Sequence, residues 1–178
     1  MLYHATRADL VSRILEEGLQ PQAGAYARRY HPHPVPLVYA CDDPVSPRIT
    51  CALGFHSLRS LVETGVRRKN RPVLASGELL NLRAGRGWRG LRDADIATHG
   101  ALVLIENTAD FRHAAWGEAD LPPGVEPGDH YCARPVAAAA VLRGADMMDF
   151  LHRAGLERAH LPPEWQRGGP EPEDGPEP

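Results

Sequence analysis

Leu2-Tyr3-His4-Ala5-Thr6 is a run of strand length in which an imidazole stands among mostly apolar neighbours. Leu37-Val38-Tyr39-Ala40-Cys41 has the same form, with a phenol at its centre. A half-buried strand accommodates a large polar ring only where the ring has a partner or a task. His4 and Tyr39 are therefore the leading candidate site residues, and their two strands are expected to lie near each other. Each ring also has an ordinary explanation: His4 as a core histidine satisfied by a carbonyl, and Tyr39 as packing.

Outward from the first strand, Thr6-Arg7-Ala8-Asp9 has capping-box spacing, in which a hydroxyl accepts an orphan amide and a carboxylate reaches back. The spacing predicts a helix over 7–17, with Leu10, Val11, Ile14, Leu15 and Leu19 on one face and Gly18 as its left-handed terminator. From Gln20 to Pro36 the chain is irregular and rich in proline around Tyr26-Ala27-Arg28-Arg29-Tyr30-His31, and so long a loop in a small domain usually carries function. His31-Pro32-His33 sets two imidazoles on one side of an extended segment. No carboxylate or thiolate cluster accompanies them, so no metal site is expected. A strand is predicted over 35–41, a turn over 42–47 and a helix from Pro47 or Arg48 to about Val62. Further strands are expected at 72–75, 101–106 and 130–136, with the continuously apolar 101–106 central in its sheet. Segment 137–142 fits either strand or helix, 146–156 is a helix, and the Pro/Gly-rich 116–128 is a loop.

A chain of 178 residues supports one full core. Residues 1–160 are expected to form that single domain and 166–178 a disordered tail, too polar and proline-rich to pack. The 17 glycines and 17 prolines, concentrated between the apolar runs, point to many short elements and exclude a helix bundle. The fold class is α+β. The net charge of -3 conceals an acidic tail, and between Arg67 and Arg92 eight cations stand against Glu78 alone. That tract, with Trp88 in its middle, is the kind of surface that attracts RNA or DNA phosphates and stacks an unpaired base; a solvated basic face is the ordinary alternative. Three cysteines without Cys-x-x-Cys pairing give neither a disulfide framework nor a thiolate zinc site. With no signal peptide and no span of about 18 apolar residues, a cytoplasmic location away from membranes is expected.

The order of these features resembles the ADP-ribosyltransferase superfamily, in its His-Tyr-acidic branch: diphtheria-toxin-like enzymes, poly(ADP-ribose) polymerases, DarT-type toxins and RNA 2'-phosphotransferases. Leu2-Tyr3-His4-Ala5-Thr6 is similar to the first motif, followed by a helix ending in Glu17-Gly18-Leu19-Gln20-Pro21. Val38-Tyr39-Ala40 with Ser46 and Ile49-Thr50 is similar to the second. The likeness covers about the first 55 residues. It implies two small, mostly antiparallel sheets packed together with flanking helices, and NAD as a substrate in the cleft between them. It also implies that His4 with Ala5 and Thr6, and Tyr39 with Ala40, hold NAD, while Tyr26, Arg28 or Arg29 meets its pyrophosphate. The third position, usually Glu in the family, falls in Val125-Glu126-Pro127-Gly128-Asp129-His130-Tyr131-Cys132. Asp129 is the first choice there and Glu126 and Glu118 the fallbacks; His130 or Tyr131 would be non-acidic occupants. The implied activity is release of nicotinamide and transfer of ADP-ribose to a protein or nucleic acid. The alternatives are RNA 2'-phosphate removal and a non-catalytic NAD-binding or interaction module.

Overall fold

The computed structural model describes residues 1–23, 33–65, 67–68, 71–72, 91 and 93–156. The Tyr26–His31 string with Arg28 and Arg29, nearly all of the basic tract and the acidic tail lie outside the described residues. Among the described residues the chain is a mixed helix-and-sheet fold with two antiparallel three-stranded sheets and four α-helices.

The first sheet has the order β1 (Leu2–Arg7), β5 (Gly100–Ile105), β8 (Ala140–Arg143). Its middle strand is the apolar run, with Ala101, Leu102, Val103 and Ile105 all at 0% exposure, as a strand covered on both faces requires. His4 pairs with Val103 in this sheet. The second sheet has the order β2 (Val38–Ala40), β7 (His130–Cys132), β6 (Arg112–His113), with Tyr39 opposite Tyr131. The sheets meet edge to edge where the Tyr3 amide donates to the Cys41 carbonyl at 2.7 Å and the Cys41 amide returns a bond to the Tyr3 carbonyl at 2.9 Å. Between them lies a shared core of Leu2, Ile14, Leu19, Val38, Val103 and Cys132.

The opposite face of the first sheet is covered by α2 (Pro47–Glu63), α3 (Asp93–His99) and α4 (Gly144–Arg153) through Leu53, Ile96, Met147 and Leu151. The helix α2 begins where expected because Pro47 sits in its first turn and the Ser46 hydroxyl accepts the Ile49 amide at 3.4 Å. A small hairpin joins β3 (Arg67–Arg68) to β4 (Arg71–Pro72), which takes in the start of the expected 72–75 strand; the rest of that segment is outside the described residues.

Several sequence expectations need correction. Thr6 caps no helix: pairing with β5 continues through Arg7, opposite Gly100, and keeps Thr6 in the strand. Asp9 is taken by Arg7, Nε to Oδ1 at 2.8 Å, instead of reaching back. A 3-10 turn (Ala8–Leu10) follows, and α1 is confined to Val11–Glu17. The strand expected over 130–136 ends at Cys132, where the Arg134 amide turns to the Cys132 Sγ at 3.3 Å. Segment 137–142 resolves as strand over its second half. The helix α3 was not expected, since among its seven residues only Ile96 is a large aliphatic, fully buried in the core it shares with Leu53.

Gly18 ends α1 with φ +75, and a Cβ there would lie 2.7 Å from the Val136 carbonyl oxygen. Leu19 bridges Val136 immediately afterwards, with amide-to-carbonyl bonds of 2.7 and 2.9 Å. Backbone cannot move aside as a flexible side chain can. Gly18→Ala is expected to lose roughly 2 kcal/mol of stability, read by urea denaturation; an unchanged midpoint would show that the bridge gives way.

Candidate functional site

His4 and Tyr39 do meet, through the main chain of one of them. The His4 Nδ1 lies 2.6 Å from the Tyr39 carbonyl oxygen across 35 residues. A carbonyl only accepts, so Nδ1 carries the proton. Burial pulls the His4 pKa down, and the bond to Tyr39 opposes that without reversing it. The ring is therefore neutral at pH 7, and its Nε2 is left with a lone pair able to accept a hydroxyl. The carbonyl bond is what an ordinary core histidine would make; the second nitrogen is what gives this one a further capacity.

The phenol of Tyr39 takes no part in that bond. Val38 and Ala40 beside it enter the core between the sheets, whereas Tyr39 packs with Leu37, Ala114, Leu121, Val125 and Tyr131 on the outer face of the second sheet. It is half-buried, and burial raises its pKa; Arg48 opposes this and Asp129 adds to it, so both charges stand nearby. Ala5, Thr6 and Ala40 are buried, leaving them little to present to a ligand.

Asp129 is the most firmly held of the acidic candidates. Its Oδ1 accepts from Arg48 Nε at 2.6 Å, and its Oδ2 accepts both from Arg48 Nη2 and from the Glu126 amide, the latter at 2.8 Å. Its own amide donates to the Glu126 carbonyl at 3.0 Å, and its carbonyl accepts the Ala114 amide at 2.8 Å. Gly128, with φ +92, makes the turn that delivers it to β7. Glu126 is exposed, with its carboxylate 3.7 Å from Arg48 Nη1. Glu118 is engaged elsewhere, with Arg112 at 3.4 Å and the Ala115 amide at 3.2 Å. The His130 ring lies 4.7 Å from that of His113, and burial first, then His113, lowers its pKa. Tyr131 is buried beneath the Arg112 guanidinium, 5.6 Å from its ring centre.

Two residues of the site were not anticipated. Arg48 could have been suspected, because a cation in the first turn of a helix opposes the helix dipole and needs an acidic partner. His56, on α2, has its pKa pulled down to about 4 by burial and then by nearby His4. Its Nδ1 has no hydrogen-bond partner among the described residues. Nothing in its local sequence set it apart from the helix's other polar residues.

The arrangement offers a hydroxyl acceptor at His4, a half-exposed aromatic face at Tyr39 and a fixed carboxylate at Asp129. No group of three side chains suited to a metal ion occurs among the described residues, and no helix there is long and apolar enough to cross a membrane. No protein-family model, curated protein or solved structure matches the chain.

Proposed function

We propose that this chain is an NAD-dependent transferase with an ADP-ribosyltransferase-like fold, releasing nicotinamide and passing ADP-ribose to a protein or nucleic acid. The supporting observation is the bond from His4 Nδ1 to the Tyr39 carbonyl. It joins the two segments that resemble the family's motifs and leaves Nε2 free to accept a ribose hydroxyl of NAD. Tyr39 would stack on the nicotinamide, and Asp129 would face the positive charge that develops on the ribose. In the reaction the bond between nicotinamide and ribose breaks with its electron pair leaving on nicotinamide. The acceptor's nucleophile then bonds to the ribose carbon and gives up its proton.

The test is nicotinamide release on mixing with NAD. His4→Ala is expected to slow it about 100-fold and Tyr39→Ala about 10-fold, the scale of losing one transition-state contact or one stacking platform. Equal rates in all three proteins would end the proposal. One observation favours a second function, a module that binds NAD without cleaving it: β7 carries no Glu. Calorimetry would then show NAD binding with no nicotinamide produced.

A further inference from the structure

Arg48 and Asp129 are unequal partners. The Asp129 side chain is 4% exposed and that of Arg48 41%. Among the described residues, four other titratable groups lie around the carboxylate. Tyr39 on β2 and Cys41 just beyond it have their pKa values raised by burial, so both stay neutral. His130 on β7 has its pKa lowered by burial and is neutral too. Glu126, on the turn, is a second acid. Arg48, on α2, is therefore the one fixed positive charge among these neighbours.

A buried carboxylate without a cation beside it takes up a proton, and a neutral acid offers a developing positive charge very little. A two-pronged guanidinium contact also fixes the plane of the carboxylate, which a single ammonium cannot do. We infer that Arg48 is the positioning residue of this site, fixing the plane of the Asp129 carboxylate and aiming it beside Tyr39. The inference rests on the transferase function proposed above and adds a residue that the motif resemblance did not include.

The test is the initial rate of nicotinamide release from NAD as a function of pH, for the wild type, Arg48→Gln and Arg48→Lys. Arg48→Gln is expected to be slower at neutral pH by about 10-fold or more. The KM for NAD should change by less than about 3-fold, because the contact acts on the carboxylate and not on bound NAD. Arg48→Lys, which keeps the charge without the fork, should fall between the two and carries the test if Arg48→Gln does not fold. Added guanidinium should restore part of the lost rate in Arg48→Gln. Wild-type turnover with variant pH profiles that superpose on it would overturn the role of Arg48 alone. A wild type that releases no nicotinamide at any pH would overturn the transferase function and this role together.

Discussion

Arg48→Leu is expected to lose about 3–4 kcal/mol of folding stability and Asp129→Leu about half as much, although the two substitutions break the same ion pair. The asymmetry follows from where each charge is left. Without Arg48, the Asp129 side chain, 4% exposed in the intact pair, is left as a buried charge without its cation. Without Asp129, the Arg48 side chain is already 41% exposed and can turn outward. The double variant should be less damaged than the two losses added together, since neither charge is then stranded. Urea denaturation of the four proteins measures all of this. A larger loss for Asp129→Leu than for Arg48→Leu would mean that the bond from the Glu126 amide matters more than the ion pair. The effect should reach beyond the pair itself, because α2 covers the first sheet and Asp129 immediately precedes a strand of the second.

Much of the framework could be read from local pattern. The central strand announced itself as the apolar 101–106 run, observed one residue earlier at Gly100–Ile105, and α2 by the helical spacing of Ile49, Leu53, Leu58 and Leu61. Elements decided by distant partners could not be read that way. Thr6-Arg7-Ala8-Asp9 carries a valid capping signal, yet pairing of Arg7 with Gly100 and the ion pair of Arg7 with Asp9 and Glu63 outweigh it. The strand β6 is two residues long and exists because β7 lies beside it. The site divides along the same line. His4 and Tyr39 stood out by residue type against their neighbours, and Asp129 was reached through the resemblance. Arg48 depends on a carboxylate 81 residues away, and His56 on how one face of a helix is buried. Neither relationship leaves a mark on adjacent residues.

His56 should make the protein sensitive to mild acid. Its folded pKa of about 4 lies below the ordinary 6.5, because burial disfavours the cation and His4 nearby adds to the effect. Between those values the unfolded chain binds the proton and the folded chain does not, so stability falls as the pH drops from about 6.5 towards 4 and is fully present above that window. The gap amounts to roughly 3 kcal/mol if His56 titrates alone. His4, whose pKa is lowered for the same first reason, acts in the same direction. His56→Gln keeps a polar side chain of comparable length but removes the titration, so its stability should change far less between pH 7.5 and pH 4.5 than that of the wild type. Urea midpoints at the two pH values give the comparison directly. Parallel losses in both proteins would show that the carboxylates, and not this imidazole, govern the acid limb. A flattened profile for His56→Gln would instead show that burial of a neutral ring beside His4 contributes stability only while the ring stays uncharged. Acid would then act through the helix that also carries Arg48, and stability and the candidate site would respond to the same fall in pH.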